Sequence, residues 1–195
     1  MKLVSFSLSS LLLLFLSVFI ISCSDDDAPL PENEEEEIAE VVLTFTPVSG
    51  GTPLSFTWAD PDGEGPQNPT METISLAPNT EYLMAIELMG PNDEDITEEI
   101  AEEDDEHMFF FGWTEGLFSS PSGSGNIAAR SGMVNYEDAD ANNQPVGLRT
   151  RWTTGDAAAG TFRVVLKHQP GAKSATSTVE VGESDVDITW AIAIQ

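Results

Sequence analysis

The 195-residue chain predicts an all-β fold, a two-sheet β-sandwich with one short acidic surface helix at about 95–105. Three observations lead there. Most apolar segments after residue 40 alternate apolar and polar residues with a period of two. Clusters of Gly, Pro, Asn and Asp separate those segments. Only one stretch combines helical spacing of apolar residues with a capping signal. A succession of short strands with a single helix buries its apolar faces most simply as sheet on sheet.

Taken in order, Val41, Leu43 and Phe45 alternate with Val42, Thr44 and Thr46, and Leu54, Phe56 and Trp58 with Ser55 and Thr57. Tyr82, Met84, Ile86 and Leu88 keep the same period, as do Leu148, Thr150 and Trp152, then Phe162, Val164 and Leu166. The run Val186, Ile188, Trp190, Ile192 and Ile194 is the most regular, which predicts a central strand at the end of the chain. The helix is expected from Ile96 to about Asp105. Asp95 caps it, Glu98 stands at the capping-box position, and Ile96 and Ile100 form a narrow apolar stripe that suits a surface helix. Met108-Phe109-Phe110-Phe111-Gly112-Trp113 is apolar on both phases, as in a strand covered on both faces, and the helix is the expected cover.

Leu76-Ala77-Pro78-Asn79-Thr80-Glu81-Tyr82 resembles the stretch leading into strand F of fibronectin type III domains, and Leu54 to Asp62 resembles their tryptophan-bearing strand B. The resemblance implies an immunoglobulin-like sandwich in which the Tyr82 hydroxyl pins a corner by bonding to upstream backbone. Only 17 residues lie between Trp58 and Leu76, too few for the family's usual intervening strands, so the resemblance extends to the sandwich and the corner but not to the whole topology.

The N-terminus has a different character. Lys2 is followed by an uncharged apolar run, and Ile20-Ile21-Ser22-Cys23 ends in a small residue before the only cysteine. This resembles a bacterial lipobox, which implies a signal peptide over 1–22 and acyl chains on Cys23. Two or three such chains form an effectively permanent membrane tether. Ser24-Asp25-Asp26-Asp27 resembles the acidic export signal of Bacteroidota-type surface lipoproteins, and Asp93 to Phe111 resembles a segment of small lipoproteins of that kind. These resemblances imply an outer-membrane lipoprotein exposed at the cell surface, with the periplasmic face as the alternative; they bring no activity with them. Residues 23–39, rich in Pro and Glu, read as a disordered acidic tether, and 40–195 as a single domain.

The formal charge is −27, with 34 acidic and 7 basic residues, so a nucleic-acid partner is excluded and cations or basic surfaces are favoured. With no cysteine beyond Cys23, the domain has neither disulfides nor thiolate chemistry. Neither a nucleophile elbow nor a phosphate loop is present.

Four constellations remain. Ten of the fourteen residues from Asp93 to Glu106 are acidic, and Glu103 and His107, four apart, can clasp a metal ion if the helix extends that far, although a solvated face is the simpler reading. His168 falls on the inward phase at a strand end, which suits a structural histidine. If the strands around 147–153 and 161–168 form a hairpin, Arg149, Arg151, Arg163 and Lys167 share one face, a basic ladder to neutralise the acidic helix or to meet an anionic partner. Asp60-Pro61-Asp62-Gly63-Glu64 and Asp138-Ala139-Asp140-Ala141-Asn142 space oxygen atoms as calcium loops do, making calcium the one cofactor suggested, but both also suit ordinary turns.

Together these features predict a lipid-anchored envelope module that binds an envelope protein or glycan without catalysis. A divalent-cation-binding or structural lipoprotein working through the acidic helix is the alternative, and a glycan-active hydrolase comes third.

Overall fold

The computed structural model describes residues 36–63 and 65–195. The proposed signal peptide, Cys23, the first part of the tether and Glu64 lie outside the described residues. The strands are β1 (Glu40–Pro47), β2 (Leu54–Ala59), β3 (Thr70–Met71), β4 (Ile74–Leu76), β5 (Glu81–Met89), β6 (His107–Trp113), β7 (Phe118–Ser120), β8 (Arg149–Thr154), β9 (Ala158–His168) and β10 (Glu183–Ile194), with one α-helix, α1 (Ile96–Glu102). They form a six-stranded sheet in the order β3-β2-β1-β5-β8-β7 and a four-stranded sheet in the order β4-β10-β9-β6. The fold is the expected two-sheet sandwich, and β10 is an interior strand. No helix among the described residues is long and apolar enough to cross a membrane.

The inward residues of both sheets meet in one aromatic core. Trp152 of β8 is fully buried, with its ring 5.0 Å from Trp113, 4.8 Å from Phe118 and 5.1 Å from Phe162. The Trp113 and Phe162 rings stand nearly edge-on to it, the arrangement that aromatic quadrupoles favour. Its indole N–H donates to Thr150 Oγ1 at 2.7 Å, so the ring is buried without an orphaned donor.

The Tyr82 corner is present. The Ala77 N–H donates to the Tyr82 hydroxyl at 3.1 Å as the chain passes from β4 in one sheet to β5 in the other. Trp58 is only half-buried, because its neighbour β3 is a two-residue edge strand that cannot cover it. The short gap before Leu76 holds just β3 and β4.

Three expectations are corrected. Residues 36–39 belong to the domain rather than to a disordered tether: Ile38 packs on the core, and the Ala39 N–H donates to Met89 O at 2.8 Å. The helix ends at Glu102, short of Asp105. Its last turn has no basic residue, and the acids from Glu102 to Glu106 oppose the negative end of the helix dipole, so the chain turns instead. Nor does α1 cover the outer face of β6. It docks on β5, where Thr97 Oγ1 accepts from the Leu88 N–H and donates to Leu88 O at 2.8 and 3.1 Å. The outward residues Met108 and Phe110 pack instead with Val165 against Ile127, Tyr136 and Val179 from the long connections.

The same connections close the free edge of β6. The Phe109 N–H donates to Val146 O and the Tyr136 hydroxyl to Phe109 O, both at 2.7 Å. The Phe111 N–H donates to Asn126 Oδ1 at 2.9 Å, and the Asn126 N–H returns to Phe111 O at 2.9 Å. Gly125 permits this approach: its φ is +92°, and a Cβ there would stand 2.0 Å from Phe111 O. The other edges are strands of only two or three residues, which offer little template for pairing with another chain.

Asn126→Ala leaves the buried Phe111 N–H without its acceptor, and a loss of about 1–3 kcal/mol in urea unfolding is expected. A variant as stable as the parent would show that the edge does not depend on this side chain.

Candidate functional site

At one end of the sandwich the two histidines of the chain come together. His107 opens β6 and His168 closes β9, and the antiparallel register sets them directly opposite each other. Both lie on the phase that faces between the sheets, continuing Phe109 and Phe111 on β6 and Val164 and Leu166 on β9. The rings stack with centroids 4.4 Å apart and planes 13° apart. Glu103, from the turn after α1, completes a trio whose potential ligand atoms all lie within 4.8 Å of one another.

Side-chain exposure is 0% for His107 and 6% for His168, so the rings are dry. One nitrogen of each ring is held. His107 Nδ1 lies 3.2 Å from the Glu103 carbonyl, which only accepts, so this nitrogen carries the proton and Nε2 keeps a lone pair. His168 Nε2 lies 3.2 Å from Glu106 Oε2, which as a carboxylate accepts from this nitrogen. Neither His107 Nε2 nor His168 Nδ1 has a hydrogen-bond partner among the described residues. Glu36 Oε1 stands 3.9 Å from His107 Nε2.

Burial pushes His107 down to about 4, with the charges of His168 and Lys173 adding to the effect and the Glu103 carbonyl opposing it. Burial likewise pushes Glu36 up to about 7, reinforced by repulsion from Glu99, Asp185 and Glu103. At neutral pH the His107 ring is therefore an uncharged imidazole, and its approaches to Glu36 and Glu103 are not ion pairs. Carboxylates from two parts of the chain, Glu36 on one side and Glu103 and Glu106 of the acidic turn on the other, stand beside the two rings.

Lys173 holds this end together. Its ammonium pairs with Asp140 Oδ2 at 3.1 Å, with both side chains 1% exposed, and it also donates to Asp104 O at 2.5 Å. It thus joins the loop after β9, the turn around residue 140 and the acidic turn bearing Glu103 and Glu106.

Of the two loops with calcium-like spacing, the second engages its carboxylates within the fold, whereas Asp60 Oδ1 and Asp62 Oδ1 of the first are buried without a hydrogen-bond partner. Asp138 accepts from the Gly147 and Arg149 N–H groups at 2.8 and 2.9 Å. Asp140 Oδ1 accepts from the Asn142 and Gln144 N–H groups, both at 2.8 Å, while Lys173 takes its other oxygen. The Asp138 and Asp140 carboxylates thus brace this turn through backbone N–H groups and Lys173. In the first loop Asp62 Oδ2 accepts from the Gln67 N–H at 3.1 Å, and the Gly63 N–H closes a turn onto Asp60 O.

The basic ladder does not form. β8 lies in the six-stranded sheet and β9 in the four-stranded one, so Arg149 and Arg151 stand on the opposite side of the sandwich from Arg163 and Lys167. The reason lies in Trp152 and Phe162, which meet across the interior instead of lying side by side on one sheet. Arg151 is bracketed by Glu137 at 2.6 Å and Glu81 at 3.2 Å. Arg163 makes a two-pronged pair with Asp187, at 2.7 and 2.6 Å, and Lys167 donates to Ser184 Oγ at 2.9 Å. Among the described residues only Arg149 of the four lacks a side-chain partner. It lines a shallow groove of about 380 Å³ with Thr46, Leu83, Ala85 and Glu137.

Sequence reasoning found Glu103 and His107 together but not His168, Glu106, Glu36 or Lys173. His168 carried a signal, its inward phase at a strand end, but only the β6–β9 register sets it against His107.

Asp140→Asn leaves the Lys173 charge buried and unpaired, and a loss of about 3–5 kcal/mol at neutral pH is expected. Burial pushes the Asp140 carboxyl up, but the Gln144 N–H and the Lys173 ammonium outweigh this and hold it below its ordinary 3.8. A depressed folded-state value stabilises fully above the unfolded value and is lost as pH falls through the folded one. The gap between wild type and variant in urea unfolding is thus expected to narrow below about pH 4; a gap independent of pH would dismiss the ion pair.

No protein-family model, curated protein or solved structure matches this chain.

Proposed function

We propose that this chain is a lipid-anchored module of a Gram-negative, Bacteroidota-type envelope, exposed at the outer-membrane surface, that binds a partner without catalysis. The observation that carries this reading is the N-terminal sequence: an uncharged apolar run ending in Ser22-Cys23, then an acidic, proline-bearing segment leading to the domain. A rigid sandwich on such a leash suits presentation of a surface to envelope proteins or glycans. The groove beside Arg149 supports an anionic partner better than Arg151 or Arg163 does, because its guanidinium is not already paired within the described residues. The alternative, a divalent-cation-binding lipoprotein, is favoured by the paired histidines at the end of the sandwich.

Intact-mass analysis of the mature protein from membranes is expected to find an N-terminal Cys23 bearing acyl groups. Cys23→Ser is expected to move the protein out of the detergent phase, and proteolysis of whole cells to remove the domain. An unacylated mature Cys23 would overturn the anchor, and full protection in intact cells would reverse the orientation.

A further inference from the structure

We propose that Glu103, His107 and His168 form a binding site for a zinc-type divalent transition ion at the end of the sandwich. This goes beyond the envelope-module reading and does not depend on the lipid anchor. Two imidazoles and a carboxylate are the ligand set that zinc and its neighbours take, whereas calcium and magnesium prefer oxygen alone. The three side chains already bring ligand atoms within 4.8 Å of one another.

Acidic crowding alone would not make this a site; the histidines do. His107 Nε2 and His168 Nδ1 are buried and unpartnered, and a buried ring nitrogen without a partner is a position that a metal ion can engage. The opposite nitrogens are tied to the Glu103 carbonyl and the Glu106 carboxylate. Metal-binding histidines characteristically use such contacts to fix tautomer and ring orientation. Glu106 beside His168 adds negative potential, and the Glu103 side chain is 47% exposed, on the solvent side of the two rings.

Stacked rings present their in-plane lone pairs side by side rather than toward one point. Capture therefore requires one ring to tilt about its Cβ–Cγ bond. The directly opposed strand positions keep the two rings adjacent.

The test is titration of the chelator-treated full-length chain in detergent with ZnCl2 and CoCl2, followed by calorimetry, melting temperature and the visible spectrum of bound Co2+. One ion per chain, a raised melting temperature, nitrogen-ligated cobalt bands and no competition from excess Ca2+ or Mg2+ are expected. His168→Gln and Glu103→Gln are each expected to weaken zinc binding at least about tenfold, since even outer-shell partners matter that much. Glu103→Gln alters a half-exposed side chain and is expected to melt, metal-free, as the parent does. If His168→Gln fails to fold, Glu103→Gln and the cobalt spectrum of the parent decide. Absence of one-to-one uptake, oxygen-only cobalt bands, displacement by Ca2+, or unchanged affinity in Glu103→Gln would each overturn the proposal.

Discussion

The architecture depends on keeping β6 dry on three sides. Its inward residues Phe109, Phe111 and Trp113 belong to the main core, and its outward residues Met108 and Phe110 to a second, smaller one. It is also the outermost strand of its sheet, where an uncovered backbone would face water or another chain. Burying a Phe or Met side chain contributes about 1.5–3 kcal/mol, so covering the outer face is a substantial gain. The long connections after β7 and β9 therefore fold back over β6, and Asn126, Tyr136 and Val146 take up its backbone groups.

That covering shapes the chemistry at the end of the strand. Because β6 is buried from its first residue, His107 enters the dry interior, and the register with β9 brings His168 alongside it. The buried Lys173–Asp140 pair fastens the covering loops to the acidic turn that supplies Glu103 and Glu106. A buried pair of this kind is weak evidence for net stability, but losing one partner is costly, so it acts as a fastener rather than a source of stability. The closure of the β6 edge and the assembly of the histidine cluster thus draw on the same strand.

Charge is segregated accordingly. The arginines on the two outer faces are largely neutralised by neighbours within their own part of the structure: Arg151 by Glu81 and Glu137, and Arg163 by Asp187. Among the described residues the acids of 93–106 have no comparable basic surface, and of the lysines and arginines only Lys173 contacts them, through the Asp104 carbonyl. A domain with this much net negative charge attracts cations over long range at low ionic strength. The buried histidines add the selectivity that carboxylates alone lack.

The amino-acid pattern by itself determined the layered all-β architecture, the interior position of β10, the Asp95 cap and the Tyr82 corner, because each follows from local periodicity or a contact between residues close in sequence. Only the tertiary structure decided which strands share a sheet. Alternation is identical whether neighbouring strands form a hairpin or pass from one sheet to the other, so it could not foresee that Trp152 and Phe162 face each other across the interior and separate the four basic residues. The same holds for the histidines: phase predicts that His168 points inward, but its meeting with His107 depends on pairing between strands distant in the chain, and local sequence does not encode that register.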